Sequence, residues 1–85
     1  MSKKDPIAVE ASFDRKGSPR PRAFTWRGKR RLVTSWGRSR KQEGLLHMLV
    51  MERLGEVYEL AYDLDDGTWL LLRAPDDFGR RRGPI

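Results

Sequence analysis

Eighty-five residues, with eighteen Lys and Arg against twelve Asp and Glu, carry a net charge of +6 and make one small domain at most. A chain this short buries only about 60% of the surface that its unfolded form exposes, so its Trp, Phe and Tyr rings are expected in or near the core. It has no Cys, which excludes disulfides, thiolate metal sites and Cys nucleophiles, and no apolar run approaches the roughly 20 residues that cross a bilayer.

Met1-Ser2-Lys3-Lys4-Asp5-Pro6 is basic but lacks the apolar segment of a signal peptide, so a cytoplasmic location without membrane contact is expected. Residues 1–5 read as a flexible N-terminus, 6–74 as a single β domain and 75–85 as a flexible basic tail. Over 7–13, Ile7, Val9, Ala11 and Phe13 alternate with smaller or charged residues, the pattern of a half-buried strand. Residues 14–21 hold Gly17, Ser18, Pro19 and Pro21 and predict a loop. A hairpin follows, in which Phe24 and Trp26 share one face, Thr25 and Arg27 the other, and Gly28 supplies the positive φ of a tight turn. The return strand is predicted over 29–36, with Leu32, Thr34 and Trp36 on one face and Arg31, Val33 and Ser35 on the other. Residues 37–44, polar and bounded by glycines, predict another loop.

Residues 45–54 fit two patterns. Leu46, Leu49, Val50 and Leu54 stand near helical spacing, whereas the flanking Gly44 and Gly55 and the strand that follows favour a strand. Strand is the preferred reading, with a two-turn helix as the alternative. Over 57–63, Tyr58, Leu60 and Tyr62 alternate with Val57, Glu59, Ala61 and Asp63. Asp66-Gly67 marks a turn, and 68–73 is a strand apolar on both faces, ended by Pro75. The fold expected is all-β: an antiparallel meander of five or six strands, curled or barrel-like.

Charge is divided along the chain. From Arg15 to Lys41 there are many cations and no acid, while Glu43 to Asp77 is acidic apart from Arg53 and Arg73. Such asymmetry points to a polyanion-binding half, or to halves that neutralise each other across one sheet or across a dimer.

Pro21-x-x-Phe24-x-Trp26-Arg27-Gly28, then Val33 and Trp36, then Tyr58-Glu59-Leu60, Asp63, Gly67 and Trp69-x-Leu71-x-Arg73, are the residues of a recurring pattern. Over roughly residues 6–74 the chain resembles a family of small uncharacterised bacterial β-domains, some encoded near lesion-bypass DNA polymerases. The resemblance implies a compact β fold and a link to DNA repair, and supplies no catalytic residue. Arg31 departs from the pattern where an aromatic residue is expected, as do residues 45–48 near the place of a further Trp.

The candidate site is the basic hairpin and its continuation: Arg22, Arg27, Lys29, Arg30, Arg31, Arg38, Arg40 and Lys41. Guanidinium and ammonium groups in this density meet phosphates. With Phe24, Trp26 and Leu32 expected in the core, binding of DNA or RNA would be electrostatic rather than by base stacking. Arg80, Arg81 and Arg82 read as a flexible arm or as a solubilising end. Asp63, Asp65, Asp66 and Gly67 look like a calcium loop only superficially, since the position that needs Glu is Ala74. His47 has no partner at metal-ligand spacing, and no nucleophile elbow or phosphate loop appears, so neither metal, cofactor nor enzymatic activity is expected. The competing expectation is a protein-interaction module, its basic hairpin engaging an acidic partner or the acidic surface near Glu56, Glu59 and Asp63 of a second copy.

Overall fold

The computed structural model describes residues 5–77, which form a nearly all-β, antiparallel sheet of seven strands. These are β1 (Asp5–Pro6), β2 (Val9–Phe13), β3 (Pro19–Trp26), β4 (Lys29–Gln42), β5 (Leu45–Glu52), β6 (Val57–Asp63) and β7 (Trp69–Arg73), followed by a 3-10 turn at Pro75–Asp77. Their spatial order is β1-β7-β6-β5-β4-β3-β2, a meander from β2 to β7. One piece of chain holds both ends of that order. β1 pairs with β7, Ile7 N–H donates to the Trp69 carbonyl, and Thr25 N–H donates to the Ala8 carbonyl as β2 sets off along β3. The strand expected over 7–13 therefore begins at Val9, and a separate two-residue strand, Asp5–Pro6, joins the sheet ahead of it.

The sheet curls into a half-barrel whose rings meet across the interior and at its rim. Phe24 of β3 lies 4.8 Å from Tyr58 of β6, and Phe13 of β2 lies 5.9 Å from Tyr62. Phe24, Met48, Val50, Tyr58, Leu60, Trp69 and Leu71 form the core, as the alternation of β6 and the apolar character of β7 require. Trp26 is only half-buried against it.

Two hairpins use the same turn chemistry. Arg27 and Gly28 have φ of 53° and 75°, and Glu43 and Gly44 have 53° and 78°, the left-handed pair that a two-residue hairpin loop needs. The second of these turns corrects the loop expected over 37–44. β4 continues to Gln42, with Arg40 opposite His47 and Gln42 opposite Leu45. The polar residues there reflect an exposed strand, not an irregular backbone. The loop expected over 14–21 is likewise shorter: Asp14 Oδ1 accepts the Lys16 and Ser18 N–H groups, and β3 begins at Pro19. Residues 45–52 are strand, not helix. The tail arginines Arg80, Arg81 and Arg82 lie outside the described residues.

Bulges reset which residues face inward. Val33 opposes Glu52 and Ser35 opposes Met51, so Thr34 is an extra residue in β4; Gly37 and Arg38 together fill the gap opposite Leu49. The face expected to hold Leu32, Thr34 and Trp36 is therefore broken. Leu32 is exposed, while Arg31, across from the buried Phe24, turns inward.

There Arg31 meets Glu52, the most deeply buried charged residue described. Arg31 Nη1 stands 3.6 Å from Glu52 Oε2, its guanidinium lies 5.9 Å from the Tyr58 ring, and Glu52 Oε1 accepts the Leu54 N–H. Removing one partner of such a pair strands the other charge in the interior. Arg31→Ala is expected to lower stability in urea unfolding by about 3 kcal/mol. Arg30→Ala, which breaks an exposed pair with Glu10, should leave the midpoint nearly unchanged.

Candidate nucleic-acid interface

The basic residues sit where the barrel wall is open. β3 and β4 pair only from Ala23 opposite Leu32 to Trp26 opposite Lys29. Beyond Leu32, β4 pairs with β5 and leaves the first half of β3 without a ladder on that side. The cause is chemical: the Pro21 carbonyl faces β4, but neither Pro19 nor Pro21 has an N–H to continue the pairing. A single side chain bridges the seam. Trp36 Nε1 donates to the Pro21 carbonyl at 2.7 Å, and the Arg20 and Arg22 guanidiniums lie 5.0 and 5.8 Å from the Trp36 ring centre. Arg22 is displaced toward the ring by a bulge, since Glu10 opposes Ala23 and Ala11 opposes Pro21. Pro19, Arg20, Trp36, Ser39 and Met48 line a cleft at this seam.

A second cleft adjoins it across β4, sharing Ser39 and Met48. Arg38 and Arg40 form one wall, and His47, Leu49, Glu59 and Arg73 the remainder. Glu59 is nearly buried and has both oxygens engaged: Oε1 accepts from Arg73 Nε at 2.7 Å and Oε2 lies 3.1 Å from His47 Nδ1. Burial pushes the Glu59 carboxyl up, but the hydrogen bonds and charges of Arg73 and His47 outweigh it and hold the group below the ordinary carboxylate value. As a carboxylate, Glu59 accepts a proton-bearing Nδ1, leaving His47 Nε2 uncommitted.

The eight expected site residues divide into two sets. Arg22, Arg27, Lys29, Arg38, Arg40 and Lys41 are exposed and, among the described residues, form no ion pair. Arg27 lies over the Trp26 ring at 5.2 Å from its centre. Arg30, though exposed, is clamped by both oxygens of Glu10 at 2.6 and 2.7 Å, and Arg31 is turned onto Glu52. The two halves of the chain thus meet within one molecule, at Arg31–Glu52.

Arg20, Trp36, His47 and Arg73 belong to the two clefts without being among the expected binding residues, and Glu59 is expected only in the acidic surface of the competing reading. Arg20 had a visible signal, standing two residues from Arg22 in the same acid-free run. The Glu59 contacts had none, because they join residues 12 and 14 positions apart on three strands. Among the described residues, no cluster of three or more His, Cys, Asp or Glu could hold a metal, and no helix is long and apolar enough to cross a membrane. Comparison with protein-family models, with curated proteins and with solved structures finds no match to this chain.

The depressed Glu59 carboxyl links stability to pH. Its contribution is present above the ordinary carboxylate value of 4.5 and is lost as pH falls through the lower folded value. Glu59→Gln is therefore expected to be less stable than the wild type at pH 7, with the gap closing below pH 4.5, in thermal unfolding monitored at both pH values.

Proposed function

We propose that the protein is a non-enzymatic module that binds DNA or RNA through β4 and the seam beside β3. The observation that carries this reading is where the two charge signs are used. Seven of the twelve acids are engaged within the fold: Glu10, Glu52 and Glu59 in ion pairs, and Asp14, Asp63, Asp66 and Asp77 as acceptors for backbone N–H groups in turns. Among the described residues, Arg20, Arg22, Arg38, Arg40 and Lys41 have no such acid partners, and they flank the open wall. From Lys29 to Lys41 the strand path is up to about 40 Å at ~3.3 Å per residue, enough to follow several successive phosphates.

Stacking has a smaller share. Phe24 is buried, and the Trp26 and Trp36 rings are already met by arginines of the same chain. Affinity is therefore dominated by phosphate contacts, with weak sequence preference and steep salt dependence. The resemblance to β-domains encoded near lesion-bypass polymerases is in keeping with a repair-accessory role.

Fluorescence anisotropy with labelled single- and double-stranded oligonucleotides tests this directly. The triple variant Arg22→Ala/Arg38→Ala/Arg40→Ala is expected to bind about tenfold or more weakly at low salt and to flatten the log–log salt slope by about 2. Arg30→Ala, whose guanidinium is already held by Glu10, should change binding far less. Absence of wild-type binding at low salt would overturn the proposal.

A further inference from the structure

Within the β4 interface one place is built differently from the rest. Along most of β4 the cations project singly from an exposed strand, whereas the cleft behind residues 37–39 has walls, a floor and a charge of its own. The two-residue bulge at Gly37 and Arg38 makes it. A Cβ at position 37 would stand 3.4 Å from the Leu49 Cβ, at van der Waals contact, so β4 lies close against β5 here. Arg38 and Arg40 consequently line the same cleft as Leu49 and His47.

A carboxylate at the bottom of such a cleft would ordinarily repel an anion, but Glu59 does not present a free oxygen. Arg73 takes one and His47 the other. With Arg38, Arg40 and Arg73 against Glu59, the cleft keeps a formal charge of +2 with His47 neutral, one charge each for three arginines less one for the carboxylate. Leu49, 40% exposed, adds an apolar surface of the kind on which a ribose or base edge can rest.

We infer that this cleft is a phosphate subsite, in which Arg38 and Arg40 hold one phosphate group and His47 Nε2 shares a hydrogen bond with a phosphate oxygen. A terminal or free phosphate that still carries a proton donates it to the neutral Nε2, whereas a backbone diester, which carries none, accepts from Nε2–H of the imidazolium. Glu59 is a positioning residue: by accepting from Nδ1 it fixes the imidazole tautomer and keeps Nε2 for the ligand. The inference rests on the nucleic-acid reading above and narrows it. The shared chemistry is a phosphate group, whether a backbone diester or a terminal or free phosphate.

His47 is the only histidine in the chain, so its ring resonances report on the cleft without ambiguity. Titrating the full chain at pH 8 with inorganic phosphate should shift the His47 ring signals saturably, while chloride at matched ionic strength leaves them in place. Arg38→Ala/Arg40→Ala, both exposed positions, should weaken that response at least fivefold, and Arg20→Ala/Arg22→Ala should not. Glu59→Gln should alter the His47 ring 15N shifts toward a mixture of tautomers and weaken the phosphate response severalfold, a signature that a merely structural role would not give.

A response no larger with phosphate than with chloride, or one untouched by Arg38→Ala/Arg40→Ala, overturns the subsite. Oligonucleotide binding that leaves His47 unmoved overturns it too, while sparing the wider interface. Saturable phosphate binding without any oligonucleotide binding upholds the subsite for a small phosphate ligand and overturns the interface. Equal His47 responses to oligonucleotides with and without a 5′-phosphate identify a backbone phosphate as the occupant; a response to the phosphorylated one alone identifies the chain end.

Discussion

The structure depends on a constraint placed on one strand. β4 is fourteen residues long and must change partners, leaving β3 after Leu32 and continuing alone with β5. β3 cannot follow because Pro19 and Pro21 have no N–H to offer on the side that faces β4. A regular ladder there would extend the flat pairing of the two strands. Its interruption lets the sheet curl, so that Phe24 reaches Tyr58 and the short N-terminal segment can serve both β7 and β3. The same interruption leaves an open wall, bridged by the Trp36 indole and flanked by the arginines of both strands. The seam and the cleft beside Trp36 share that cause.

Charge is arranged to suit that opening. In a domain this small few residues can be fully buried, and a buried carboxylate is costly unless it is paired and hydrogen-bonded. Glu59 is so provided by Arg73 and His47, and Glu52 in part: the Leu54 N–H bonds one oxygen, while the other faces Arg31 at 3.6 Å without a hydrogen bond. Asp14, Asp63, Asp66 and Asp77 cap backbone amides in turns. Among the described residues, most of the cations without an acid partner lie on β3 and β4. The interface is thus a product of which charges the fold consumes, as much as of which charges the chain contains.

Local chemistry was readable from the residues alone. The turns at Arg27-Gly28 and Asp66-Gly67, the alternation of β6 and the two-sided apolar β7 all depend on neighbours in sequence. Inward and outward faces were readable only as far as the first bulge. Thr34 and the Gly37-Arg38 pair each add residues to one strand without a mark in composition, and each shifts every later side chain. Arg31 stands before both bulges: its pairing opposite Phe24 turns it inward, so it belongs to the basic hairpin by sequence and to the interior by register. Residues 37–42 looked like a loop because exposed cationic strands and loops share a composition. The Glu59 group joins three strands, a relation that appears only once the sheet is assembled.

The account stands on β4, beyond its departure from β3, being the binding edge. Backbone amide chemical-shift mapping of the full chain with a single-stranded oligonucleotide tests it most directly. Changes are expected at the amides of Arg20, Arg22 and residues 33–42, with the acidic turns at 53–56 and 63–67 undisturbed. Changes centred on those turns, or an unperturbed β4 in a chain that binds, would contradict it.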